Sequence, residues 1–177
     1  MIRPQPKPVK EKKAKKKRKP KTPERKLIEA IDALDSDICL IINNFRCILC
    51  GGKAGFNHHY FHKQNHGNVR FDPDNHCPVC FGCHNFEIHS KGNVEDLRDI
   101  LIQRISQFGF DDLKERSNFI ADRSISYLKA ELARKQARII EVVLEHPNRL
   151  NMLSDAGKKR YLKSFNQSQE YSIEVPF

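Results

Sequence analysis

Apolar residues recur at helical spacing through residues 27–45, where Leu27, Ile28, Ile31, Leu34, Ile38 and Ile41 or Ile42 share one face of a 3.6-residue repeat. Cys39 lies inside that pattern and reads as a small core residue. The period is lost between Cys47 and about Asn93, where Gly, Asn, His and aromatic residues take over. Within this stretch, residues 56–61 suit a strand and Asp72-Pro73-Asp74-Asn75 suits a turn. A helix is expected to resume over residues 80–88. Leu97, Ile100, Leu101, Arg104 and Ile105 then form a helical stripe that Gly109 should end. Ile125, Leu128, Leu132, Ile139 and Val143 line a longer helix over about 121–145, stopped by Pro147. A shorter helix is expected over 154–165, and the residues after it carry no clear signal. The pattern predicts an α+β chain in which a small non-periodic segment is embedded among α-helices.

Charge divides the chain in another way. Residues 1–26 hold 13 Lys or Arg against Glu11 and Glu24, a net +11, and the rest of the 177 residues carries −1. Five prolines interrupt this arm and apolar residues are few, so it should be disordered. The expected organisation is a basic arm over 1–26, a core with its leading helix over 27–93, and a helical region over 94–177. Lys12, Lys13, Lys15, Lys16, Lys17, Arg18 and Lys19 form a mobile cationic run that attracts a polyanion such as DNA by counterion release. A solubility tail or a localisation signal is the plainer reading of the same charges. No apolar run suits a signal peptide or a membrane span, so the sequence suggests a soluble, cytoplasmic protein with no membrane partner.

Cys47-Ile48-Leu49-Cys50 and Cys80-Phe81-Gly82-Cys83 are two Cys-x-x-Cys pairs, each offering two thiolates from one tight turn. Together they describe a structural Zn²⁺ cage around a core too small to hold itself. Four filled positions leave none for a substrate. A redox Cys-x-x-Cys is the main competitor, but two pairs without a βαβ pattern disfavour it. Cys77 can replace Cys80 in such a cage, although Cys80 and Cys83 share the turn that leads into the helix.

Seven of the eight histidines fall between His58 and His89. His59, Asn75 and His84 follow one another in the order H, N, H. The run from Asn75 to His84 resembles the HNH pattern N-x4-C-x2-C-H, with Cys47 and Cys50 upstream as in zinc-bearing HNH endonucleases. The resemblance is nearest to the NinG/Rap recombination endonucleases of lambdoid phages. It rests on Cys47 to Cys50, His59-Tyr60, Arg70-Phe71, Asn75, Cys80 to Cys83 and Gly92-Asn93. It implies a ββα-metal, treble-clef-like core: a two-stranded hairpin and a helix around one divalent cation.

Phosphodiester hydrolysis needs a proton acceptor for water and a cation to stabilise charge on the phosphate. The resemblance gives His59 the first task, while Asn75 would hold a loop or the His59 ring by hydrogen bonds. His84 would ligate the cation from the helix. His58, facing the other way on a strand, would be a second ligand, as in the His-His pair of the nuclease colicins. Many HNH enzymes have Asp at that position. A histidine here lowers the negative charge and opens a Mg²⁺ or Mn²⁺ site to nickel or zinc. His89 is a further candidate ligand, though an α-helix sets it about 140° round from His84. His62, His66 and His76 read as surface or phosphate-contacting groups, and Arg70 as a DNA contact.

The implied activity is metal-dependent cleavage of DNA, leaving 5′-phosphate and 3′-hydroxyl ends, on branched intermediates such as D-loops or Holliday junctions. For a phage-encoded chain the implied location is the host-cell cytoplasm. A homodimer through the C-terminal helices would suit symmetric junctions, but an apolar stripe more often faces its own core. A zinc-containing nucleic-acid-binding module without chemistry, and a restriction or homing nuclease, are the competing readings.

Overall fold

The computed structural model describes residues 20–92 and 94–173, so Lys12 to Lys19, and with them most of the expected disordered arm, lie outside the described residues. Helix α1, Pro23–Ile42, begins within the expected arm because three start signals coincide. The Thr22 hydroxyl accepts the Arg25 N–H at 3.2 Å, Pro23 occupies the first turn, and Glu24 faces the positive end of the helix dipole. The helix stops at Ile42, short of the expected 45. Asn44 and Phe45 adopt left-handed backbone (φ 52° and 54°), and the Phe45 N–H returns to the Leu40 carbonyl at 2.8 Å. That reversal sends the Phe45 ring into the core.

A tight turn carries Cys47 and Cys50. Gly51 supplies the φ of 70° it requires, and Arg46 bridges to Lys53 across it. Strands β1 (Phe56–His59) and β2 (His76–Val79) then pair antiparallel, with His58 opposite Cys77 and His59 opposite His76. Sixteen residues, 60–75, separate the strands and hold 3₁₀ turns at Gly67–Val69 and Pro73–Asn75. The expected strand over 56–61 is thus two residues shorter.

A short helix, Cys83–Ser90, follows β2, and its hydrogen bonding is of the π type. Helix α2, Glu95–Ser117, runs through Gly109 instead of ending there. It breaks earlier, at Ser106 (φ 68°, ψ 164°), whose hydroxyl accepts the Gly109 N–H and starts the second half as an N-cap. Helices α3, Ile125–Glu145, and α4, Asp155–Ile173, complete the chain; α3 starts on a Ser124 cap, and α4 outruns the expected 165.

One apolar core joins these parts. Leu34, Ile38 and Ile41 of α1 meet Cys77 and Val79 of β2, Leu97 and Leu101 of α2, and Ile139, Val142 and Val143 of α3. The apolar stripe of α3 is therefore spent inside the molecule. Charged staples reinforce the helix contacts. Lys135 of α3 reaches the buried Asp35 of α1 at 2.7 Å, and Arg160 of α4 holds Asp37 with two bonds of 2.7 and 2.8 Å. Among the described residues no helix is long and apolar enough to cross a membrane.

Candidate metal centres

The two Cys-x-x-Cys turns face each other because β2 lies against the first turn, where the Ile48 N–H bonds the Pro78 carbonyl at 2.9 Å. The sulfurs of Cys47, Cys50, Cys80 and Cys83 all lie within 4.8 Å of one another. A tetrahedron of Zn–S bonds of about 2.3 Å has an edge of about 3.8 Å. Cys50 Sγ and Cys80 Sγ are 3.8 Å apart. The donor set and its spacing fit a structural metal such as zinc. Burial opposes ionisation of Cys47, but the backbone N–H groups of Cys50, Cys80 and Leu49 outweigh it and bring the thiol down to about 7. Cys80 also accepts the Cys83 N–H at 3.3 Å, so the cage and the start of the short helix are one structure.

Cys77 stands apart from this cage. It is fully buried in β2 and joins the apolar core, where burial pushes its thiol up to about 11. Cys39 is likewise a core thiol.

A second group forms on the neighbouring face. His58 on β1 and His84 and His89 on the short helix bring ring nitrogens within 4.8 Å of one another. His84 Nε2 and His89 Nε2 are 3.4 Å apart, about the separation of two nitrogens on one zinc-sized ion. The 140° expected between His84 and His89 does not hold, because the helix is not α. In a π-helix each N–H bonds five residues back, as Lys91 does to Phe86, so the fifth residue returns near the same face. His89 thus enters the site that its α-helical angle would have denied it. Burial, and then His84 and His89, hold the His58 imidazole near 4, the neutral form that ligates a metal. Among the described residues no carboxylate joins these three rings.

His59 does not. Alternation along β1 puts Phe56 and His58 on one face and Asn57 and His59 on the other. The His59 ring packs edge-on against His76 at 4.8 Å, and its Nε2 is buried without a hydrogen bond. Burial, then His76 and Lys63, lower its pKa to about 3. Asn75 is fully buried and holds the long connection, not the His59 ring. Its side-chain oxygen accepts the Phe61 N–H at 2.7 Å, while its amide donates to the Phe61 and Val69 carbonyls at 3.0 Å each.

One further expectation is corrected. His76 is not at the surface: it is 4% exposed and donates from Nε2 to the Arg70 carbonyl at 3.0 Å. Arg70 is engaged with Asp32 of α1 through bonds of 2.8 and 2.5 Å, so its guanidinium ties a loop to a helix. His66 bonds the Ser117 carbonyl at 3.2 Å, and His62 is exposed. The aromatic rings beside the imidazoles lie outside the expected set of site residues. Phe56 lies parallel to His84 with centroids 5.5 Å apart, and Phe81 flanks Phe56 at 6.2 Å. Their alternation with His58 and their place next to Cys80 were the available signal.

A family model described as "Bacteriophage Lambda NinG protein" matches residues 3–144. Searches of curated proteins and of solved structures returned no match.

Proposed function

The chain belongs to the bacteriophage lambda NinG family, which points to a role in phage recombination, and we propose that it is a metal-dependent DNA endonuclease of the HNH type. The observation that carries this reading is the convergence of His58, His84 and His89 on a strand and a helix braced by a four-thiolate cage. Three protein ligands with no fourth beside them among the described residues suit a catalytic cation, whereas the filled cage suits a structural one. When bound, the cation would stabilise charge on the phosphate and on the leaving oxygen. Three imidazole nitrogens favour a transition metal such as zinc or nickel over magnesium, which prefers oxygen donors.

The chain's own groups take the remaining tasks. His58, His84 and His89 hold and orient the site. His59 is the proton acceptor in this reading: its depressed pKa keeps it neutral at every working pH, though weakly basic. Asn75 keeps the connection that follows His59 in place. The basic residues up to Lys19 follow phosphate without reading sequence, which suits branched DNA recognised by shape.

The test is cleavage of plasmid and synthetic four-way junctions over a metal panel, with and without EDTA. Wild type should cut only with metal. His59→Ala should lose about 100-fold or more in rate, with zinc content and DNA binding unchanged. Undiminished cutting by that variant removes His59 from the mechanism. Binding without cutting in every metal selects the second reading, a non-catalytic zinc-containing nucleic-acid-binding module.

A further inference from the structure

Phe56 and Phe81 are large apolar rings held at the surface, 42% and 63% exposed, beside the three-imidazole group. Apolar rings are more stable when covered, so two of them kept together in water mark a surface that something else covers. They are not loose. Phe56 is fixed by pairing with Val79 in the hairpin and lies 11° from parallel to His84. Phe81 sits in the turn between Cys80 and Cys83, tilted 47° to Phe56. The result is an aromatic step that adjoins a candidate metal ligand.

Resting on the nuclease reading for the identity of the substrate, we propose that Phe56 and Phe81 form a stacking subsite for an unstacked nucleobase next to the scissile phosphate. A phosphate held near His58, His84 and His89 carries its own base one sugar away, within reach of the Phe56 ring. In continuous duplex both faces of every base are covered by its neighbours. Only a branch point, gap, flap or single strand offers a free face. The step therefore selects DNA by local unstacking and tolerates any base, since every base has a π-face. Phe86 supplies an internal control: it is 59% exposed on the short helix that carries His84 and His89 but makes no ring contact with Phe56, Phe81 or the histidines.

The experiment crosses protein variants with a base deletion in the DNA. Fluorescence anisotropy, without added divalent cation, compares a gapped three-way junction with its partner carrying an abasic site at the unpaired position. Wild type and Phe86→Ala should bind the base-containing junction about 5- to 150-fold more tightly than the abasic one. Phe56→Leu combined with Phe81→Ala should lose that ratio, while zinc content and affinity for plain duplex stay at wild-type values. Leucine keeps an apolar group against His84 but has no π-face. An unchanged ratio in the double variant, or equal binding of the two junctions by wild type, overturns the subsite. Parallel loss of duplex and junction binding also overturns it, because the rings would then be structural. A ratio that persists in a protein that cuts nothing retains the subsite and rejects the nuclease reading, so the two failures separate.

Discussion

His76 shows how one side chain's surroundings become a property of the whole chain. Its Nε2–H donates to the Arg70 carbonyl, and burial still drives its pKa down to about 4. In the unfolded chain the value returns to about 6.5, so the unfolded state takes up the proton first. Stability is therefore intact above about 6.5 and falls as pH drops toward 4. At pH 5 the loss from this residue is about 2 kcal/mol. His76→Gln keeps a donor for the carbonyl but does not titrate. Urea unfolding at pH 7 and pH 5 should show wild type losing about 2 kcal/mol more than the variant. Equal losses would mean that His76 ionises without cost in the fold. Such burial was not legible in the sequence, because a histidine next to Asn75 and Cys77 looks the same whether its strand faces water or α1. Arg70 teaches the same point, since its partner Asp32 lies 38 residues away.

At the scale of elements, the two strands meet across sixteen residues of mostly irregular chain, too long a connection for a simple hairpin. Asn75 makes that pairing feasible by closing three hydrogen bonds to the backbone of residues 61 and 69. Asn75→Ala leaves those buried groups unpaired and should destabilise the chain by about 3 kcal/mol in denaturant unfolding. A loss below about 0.5 kcal/mol would show that water replaces the staple without cost. The short helix carries the second lesson. Its existence and its anchoring at Cys80 were legible from the Cys-x-x-Cys turn, but its π form was not. A five-residue step from His84 to His89 misses one face in an α-helix and meets it in a π-helix, and the sequence period does not distinguish the two over eight residues. The kink at Ser106 was missed for a related reason: an apolar stripe records which residues are covered, not whether one straight axis carries them.

For the molecule as a whole, the thiolate cage sits at the edge of a core that also contains α1, α2 and α3. Losing the metal should therefore weaken the entire fold. Chelation is expected to lower Tm by about 10 °C or more, with loss of far-ultraviolet ellipticity in a single transition. Cys80→Ser should reproduce this and lose one zinc per chain relative to wild type, whereas Cys77→Ser should retain the wild-type zinc content. Equal zinc loss in the two variants would place Cys77 in the cage. The sequence by itself determined the α+β class, the helices with strong stripes, the four thiols of the cage and two of the three clustered histidines. Those features depend on local spacing, which period and ligand chemistry constrain directly. Tertiary structure alone decided that His59 turns inward, that His89 joins His58 and His84, and that Arg70 is spent on Asp32. It also set Phe56 and Phe81 beside the imidazoles. Each of these depends on which face of a strand or helix another element covers, and residues far apart in the chain settle that together.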